Sequence, residues 1–377
     1  MTPIILDETY LKTHLINLLN IPSPSGYTDQ IVHYVGDELQ KLEIPFHVTR
    51  RGAIRATIRG KRNDLDRAIA VHLDTLGAMI KNLKDNGRLE IAPIGTWSSR
   101  FAEGARVTIF THTGPFRGTI LPLKASGHAF GDDIDKQPVG WSHVEIRVDE
   151  KCQSKSDLIK AGFHIGDYIA VDSAPELTPN GFLNARHIDD KGGVAIVLTL
   201  AKQLVENTID IPVNCHLIFT ILEEVGFGAS AVIQNDVVEM VIIDNATVAP
   251  QQNSSEYGAT IAMMDHAGPF DYHLTHKLID ICEKYNIPYS RDIFNHYRSD
   301  AASAIQAGND TRTALIGFGV DGSHGYERVH TASLQAVATL MGFYVQSLPT
   351  FVRDKDELAT LNGFPRQPIR DLIQIKT

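Results

Sequence analysis

The sequence predicts an α/β fold: a doubly wound, mainly parallel sheet interrupted by an inserted small β-barrel. Three observations carry this prediction. Apolar runs that read as strands (RAIAVHLD at 67–74, NCHLIFTIL at 214–222, EMVIID at 239–244, TALIGFGV at 313–320) alternate with helical stretches, and such alternation builds parallel sheets covered by helices. From about 76 to 176 the texture changes to short strands between Gly-rich turns, the pattern of a barrel. After about 177 the alternation resumes. The expected division is therefore 1–75 with 177–377 as one α/β domain and 76–176 as an inserted lid or oligomerisation domain.

The elements follow in order. Residues 7–19 read as an amphipathic helix with Leu11, Leu15, Leu18 and Leu19 on one face, stopped by the turn IPSPSG at 21–26. A second helix covers 31–42, and FHVTRRGAIRATIRG gives two short strands. In the insert, GRLEIAPIG, ARVTIFT, FRGTILPLKAS and HVEIRVD are strands and SKSDLIKAG is a helix. Beyond it, GGVAIVLTLAKQLVE, GASAVIQ, HLTHKLIDICEKYNI and AASAIQAG read as helices or helix starts, and the stretch from Phe351 reads as a peripheral tail.

Composition narrows the function. The chain has 377 residues and 43% hydrophobic content, enough for a large core. Its net charge of -10 disfavours nucleic acid and anionic membrane surfaces as partners. Cys152, Cys215 and Cys282 lie far apart, so neither a disulfide framework nor a thiolate metal site is expected, and a reducing cytoplasm fits. MTPIILDETYLKTHL lacks a basic segment followed by a long apolar one, so no signal peptide is expected. No apolar run is long enough to span a bilayer.

The chemistry concentrates at strand ends, where active sites of doubly wound sheets lie. RAIAVHLD ends with His72 and Asp74, LIFTILEE with Glu223 and Glu224, and EMVIID with Asp244. HIDDKGG places Asp189 and Asp190 before a helix, and His324 and His330 follow the strand TALIGFGV. Burying carboxylates together is costly unless something positive meets them. Histidines and carboxylates converging on one sheet edge suit a divalent ion such as zinc, cobalt or manganese.

In order, HLDTLG, HIDDKGG, EEVG, VIIDNA and ERVHTAS resemble the five metal-site segments of the dinuclear aminopeptidases, in the tetrahedral, glutamyl and deblocking aminopeptidase family of clan MH. IPSPSG, VTIFTHTGPFRGTILPLKASGHAF and GFHIGDYIAVD also fall where that family has them, so the resemblance covers nearly the whole chain. GTWSSRFAEGARVTIF is similar to the branch associated with the osmoprotectant N-acetylglutaminylglutamine amide.

The resemblance implies two divalent ions per subunit. Asp189 bridges them, and His72, Glu224, Asp244 and His330 complete the protein ligands, His330 being preferred to His324 because ERVHT matches the family segment. Glu223 is implied as general base, Asp74 as the carboxylate that orients His72, and Asp190 as the residue shaping the turn. Asp300 and His128 are further candidates, Asp300 as a helix cap and His128 as a lid residue. Two departures are visible: Thr75 stands where the family has Glu, and NATVAPQQNSSEYG replaces a Pro-Gly turn.

The function implied is a metal-dependent aminopeptidase acting on short peptides, in a homo-oligomer, either a tetrahedral dodecamer or a dimer. The alternative is an amidase or deacylase acting on N-acylated dipeptides or dipeptide amides. A glycoside hydrolase would need carboxyls about 5–9.5 Å apart across a sugar and would leave the histidines without a role. A non-catalytic assembly protein would leave Glu223 without one.

Overall fold

The computed structural model describes residues 1, 3, 4 and 6–368. The mixed sheet runs in the order Phe46–Val48, Ile54–Ile58, Cys215–Thr220, Asp66–His72, Val237–Val248, Arg312–Asp321, Glu327–His330, Phe182–Ala185, Glu176–Leu177. Its four central strands, Cys215–Thr220 to Arg312–Asp321, are mutually parallel. Antiparallel strands extend both flanks. Ala259–Asp265 branches antiparallel from Arg312–Asp321 and carries Tyr289–Ile293 in parallel.

Six antiparallel strands close a separate barrel: Gly77–Leu83, Leu89–Ile94, Val144–Val148, Gly114–Pro122, Arg106–Thr111 and Tyr168–Val171. The barrel has its own apolar core, including Ile80, Leu89, Ile91, Val107, Ile109, Ile120, Ile146 and Phe163. This is the α/β-plus-barrel architecture that the alternation and the Gly-rich turns predict.

Particular elements differ. The strand ending in EMVIID runs on to Val248, because it stays paired with Arg312–Asp321 as far as the Val248–Asp321 pair. GASAVIQ forms only the short turn Gly228–Ala231. There Ala229 N–H donates to the Asp300 carboxylate at 2.9 Å. Strands Phe182–Ala185, Ala259–Asp265, Tyr289–Ile293 and Glu327–His330 and helix Thr331–Gln346 are additional. Val352–Lys355 is tied down by Asp354, which accepts from Arg312 Nε at 2.6 Å, so the expected tail is anchored at its start.

The long helix Ile188–Glu206 is buried almost all round, from Ile188 through Ala201. It packs on strands Asp66–His72 and Val237–Val248 and against helices Glu8–Leu19 and Thr331–Gln346. Its apolar character on every side is what a helix enclosed by other elements requires. Its start, where the backbone of Asp189 and Asp190 departs from helical geometry, therefore lies at the carboxyl edge of the sheet.

Beside the start of the parallel strands lies a buried ion pair. Arg67 and Glu239 are register partners, with Nη2 to Oε1 at 3.1 Å. Tyr344 donates to the same oxygen at 3.0 Å, and Thr350 N–H donates to the other at 2.9 Å. Burial opposes ionisation of Glu239, yet Arg67, Lys277 and the Thr350 bonds hold its carboxyl at about 2. The folded value lies below the unfolded one, so the stabilisation is present above the ordinary carboxylate range and is lost as pH falls toward 2. Its size is about 3 kcal/mol. Glu239→Gln should destabilise the fold by about 3–5 kcal/mol near neutrality, because Arg67 is left unpaired. Its melting temperature should also fall less steeply than wild type between about pH 4.5 and 2, as measured by circular dichroism; parallel curves would contradict the assignment.

Candidate active site

The register of the parallel strands decides which residues meet. Thr220 pairs with His72, the last residue of its strand, so the turn Glu223–Val225, three residues beyond Thr220, opens beside the imidazole. Asp244 comes from the next strand. Pairing with Asp66–His72 ends at Ile242 while pairing on the other side continues, so Asp244 sits at a notch inside its strand rather than at its end.

Asp189 stands at the centre. Its Oδ1 lies 3.0 Å from His72 Nε2 and its Oδ2 lies 3.4 Å from His324 Nε2. Glu224 Oε2 is 3.9 Å from the same His324 nitrogen, and Glu223 Oε2 is 4.0 Å from His72 Nε2. Two groups of donor atoms result, each within 4.8 Å: His72, Asp189 and Asp244, and Asp189, Glu224 and His324. Asp189 belongs to both; Glu223 belongs to neither.

His330 is not brought to this cluster. Its Nε2 lies 2.9 Å from the Asn180 carbonyl, its Nδ1 accepts the Ala332 N–H at 3.0 Å, and its ring packs between Phe182 and Tyr257. It caps helix Thr331–Gln346. The reason is direction: Glu327–His330 runs antiparallel to Arg312–Asp321 and so leads away from the carboxyl edge. His324, in contrast, lies three residues past Asp321, as Glu223 lies three past Thr220. That spacing was the available signal. His324 adopts φ of 64°, a left-handed conformation uncommon for residues with a side chain, and its Nδ1 meets the Thr96 carbonyl of the barrel segment at 2.8 Å.

Asp74 works differently from the expected role. His72 Nδ1 meets the backbone carbonyl of Asp74 at 2.9 Å. The Asp74 carboxylate accepts from Ser25 Oγ at 2.5 Å and from the N–H groups of Glu223 and Glu224 at 3.1 and 3.3 Å. It therefore clamps the acidic turn. Asp190 takes the His72 N–H at 3.1 Å and the Gly193 N–H at 3.2 Å. A Cβ at Gly193 would lie 2.3 Å from Asp190 Oδ1, so only glycine fits. Asp300 begins helix Asp300–Gln306 but reaches outward, accepting from Thr220 Oγ1 at 2.6 Å as well as from Ala229. It braces the turn after Glu224 rather than simply capping its helix.

His128 is exposed in Gly127–Phe130 and does not line the cleft. Thr75 is buried, its hydroxyl on the Leu76 carbonyl at 3.0 Å, and does not line the cleft either. Asn245, overlooked in the sequence, donates to Asp189 Oδ2 at 2.6 Å. The cleft has a volume of about 370 Å³ and is bordered by Asp189, Glu223, Glu224, Asp244, His324 and the loop 296–300.

The electrostatics are those of a site short of positive charge. Burial, then Asp189, raises Glu224 to about 8. Burial and Asp189 likewise raise Asp244 to about 7 and Glu327 to about 8. Burial opposes the charged form of His324, but Asp189 and Glu224 carry it to about 10. Burial also opposes ionisation of Asp189, and hydrogen bonds from His324 and His72 outweigh it. Among the described residues, no Lys or Arg forms an ion pair with Asp189, Glu223, Glu224 or Asp244. Imidazole and carboxylate donors around unmet negative charge fit divalent cations. Asp66, His216 and Asp236 also approach one another, but Arg55 already meets Asp236 at 2.6 Å.

The model of the family described as M42 glutamyl aminopeptidase matches residues 52–340. The chain belongs to the M42 family. A relative in Bacillus subtilis (strain 168), "Putative aminopeptidase YhfE", is 36% identical over 331 residues, 88% of this chain and 95% of the relative. Among solved structures, a TET aminopeptidase from the archaeon Thaumarchaeota archaeon SCGC AB-539-E09 superposes with a TM-score of 0.82 at 18% identity, covering 92% of this chain and 98% of that one. The Pyrococcus horikoshii TET1 peptidase gives 0.79 at 20% identity, covering 90% and 100%. The two solved structures share the fold of this chain.

Elemental analysis separates the histidines of this M42 site. Wild type should carry two ions per chain. Asp189→Asn should lose the most metal, His324→Ala should lose about one ion, and His330→Ala should keep both. Full metal content in Asp189→Asn, or loss in His330→Ala but not His324→Ala, would overturn the geometry.

Proposed function

We propose that this M42 protein is a metal-dependent aminopeptidase that removes N-terminal residues from short peptides, with two divalent cations at the cleft and Glu223 as proton carrier. The observation that carries this reading is the pair of donor groups sharing Asp189, with Glu223 beside His72 and outside both. His72 and Asp244 would hold one ion and Glu224 and His324 the other, with Asp189 between them. His324 takes the place that the sequence resemblance gives to His330. The imidazole and carboxylate donors suit zinc first, and cobalt or manganese as well.

Bound at such a site, two ions supply Lewis acidity and a water acidic enough to attack at neutral pH. Glu223 accepts the proton of the attacking water and returns it to the departing amine. Asp74 fixes Glu223 and Glu224 through their backbone N–H groups, which aims two adjacent carboxylates at different tasks. His72 and His324 are held in orientation by backbone carbonyls on their other ring nitrogens, the usual support for imidazole ligands.

We read residues 76–176 as an inserted domain that closes over the cleft, supported by the Thr96–His324 contact. A homo-oligomer is proposed by analogy with the P. horikoshii TET1 peptidase, which assembles into a tetrahedron or a large octahedral shell.

Glu223→Gln keeps the shape of the side chain and removes the base. It should retain two ions and lose about 10²–10⁴-fold in kcat with little change in KM, measured on free-amine dipeptides and tripeptides. Retained turnover would remove Glu223 from the mechanism. Wild-type cleavage of N-acetylated peptides in preference to free-amine ones would replace the aminopeptidase reading with a deacylase.

A further inference from the structure

Tyr297 presents a polar group at the cleft that nothing above uses. It lies in the loop between strand Tyr289–Ile293 and helix Asp300–Gln306. Its carbonyl accepts the His266 N–H at 2.9 Å and its ring packs against Phe294 at 5.2 Å between centroids, so both backbone and ring are held. The hydroxyl is removed from solvent, and no described group completes a hydrogen bond of good geometry with it. The Asp244 carboxylate is the acid within hydrogen-bonding reach of it, although the strict geometry is not met.

A buried hydroxyl without a partner is destabilising, so its persistence at this position calls for a use. Tyr297 borders the same cavity as Asp189, Glu223, Glu224 and Asp244. Its phenol carries one O–H donor. Arg298 and His296, the nearest cationic candidates on the loop, are exposed at the rim.

We infer that Tyr297 is a catalytic hydrogen-bond donor to the carbonyl oxygen of the scissile peptide bond as that oxygen becomes negative. The inference rests on the peptidase reading above. As water oxygen bonds to the carbonyl carbon, its proton passes to Glu223 and the carbonyl π electrons move to oxygen, where the Tyr297 O–H meets them. When the C–N bond breaks, that electron pair returns to re-form the carbonyl, and the Glu223 proton leaves with the amine nitrogen. Tyr297 keeps its own proton throughout. A preorganised donor stabilises developing charge without reorientation.

The test is Tyr297→Phe, which removes one oxygen and leaves the ring packing. It should keep two ions and the wild-type melting temperature, hold KM within about threefold and lower kcat by about 10²–10³-fold. Titration calorimetry supplies a readout independent of turnover. Affinity for a phosphinic dipeptide isostere, whose P–O⁻ copies the oxyanion, should fall by a similar factor, while affinity for the product amino acid should hold. A kcat within threefold of wild type overturns the inference, as does a loss of kcat with unchanged phosphinate affinity. Loss of an ion in the variant also overturns it, because Tyr297 would then be supporting Asp244. Wild-type protein inactive on all free-amine peptides would instead remove the peptidase reading itself, and the two failures are told apart by the wild-type assay.

Discussion

Everything at the cleft depends on Asp189 being held from two sides. His72 meets one of its oxygens and His324 the other, at 3.0 and 3.4 Å. Asn245 adds a hydrogen bond, and the Asp189 N–H is taken by Glu327. A carboxylate buried to this degree is stable only in such company. The same arrangement leaves Glu224 and Asp244 on either side of it with charge unmet, and that shortage is the physical argument for cations. The long buried helix that follows the non-helical backbone of Asp189 and Asp190 anchors the position, because it packs on two parallel strands and two helices at once.

Around that centre, acids do structural work as well as chemical work. Asp74 ties down the backbone of the glutamate turn, Asp190 ties His72 to the first turn of the helix, and Asp300 ties the turn after Glu224 to Thr220. Each accepts from backbone N–H or hydroxyl groups, which leaves the oxygens of Asp189, Glu224 and Asp244 to face the cleft. Close approach then demands small residues. Gly193 faces Asp190, and Gly228 faces Asp300, where a Cβ would fall 2.1 Å from Oδ1. The barrel segment contributes a hydrogen-bond partner to the donor set, the Thr96 carbonyl on His324.

Much of this was legible in the sequence, for reasons that can be named. Apolar strands with polar ends announced the carboxyl edge, and His72, Asp189, Glu223, Glu224 and Asp244 all converge there. What the sequence hid was direction and orientation. ERVHT matches a family segment, yet its strand turns back on its neighbour, so His330 caps a helix while the earlier His324 faces the cluster. HLD suggested that Asp74 supports His72 through its carboxylate; in the fold the backbone carbonyl does so. Tyr297 gave no signal at all, because an aromatic residue in a loop is ordinary until its hydroxyl is seen buried in a cleft without a partner. The barrel was readable from its turns, although the strands that close it, Gly77–Leu83 and Tyr168–Val171, carry weaker patterns.

The central claim is that one carboxylate serves two cation positions. Anomalous diffraction from crystals of zinc-loaded protein tests it most directly. The account predicts two peaks about 3.5–4 Å apart, each about 2.0–2.2 Å from an Asp189 oxygen, with His72 and Asp244 on one and Glu224 and His324 on the other. A single peak, or a peak coordinated by His330 or lodged among Asp66, His216 and Asp236, would contradict it.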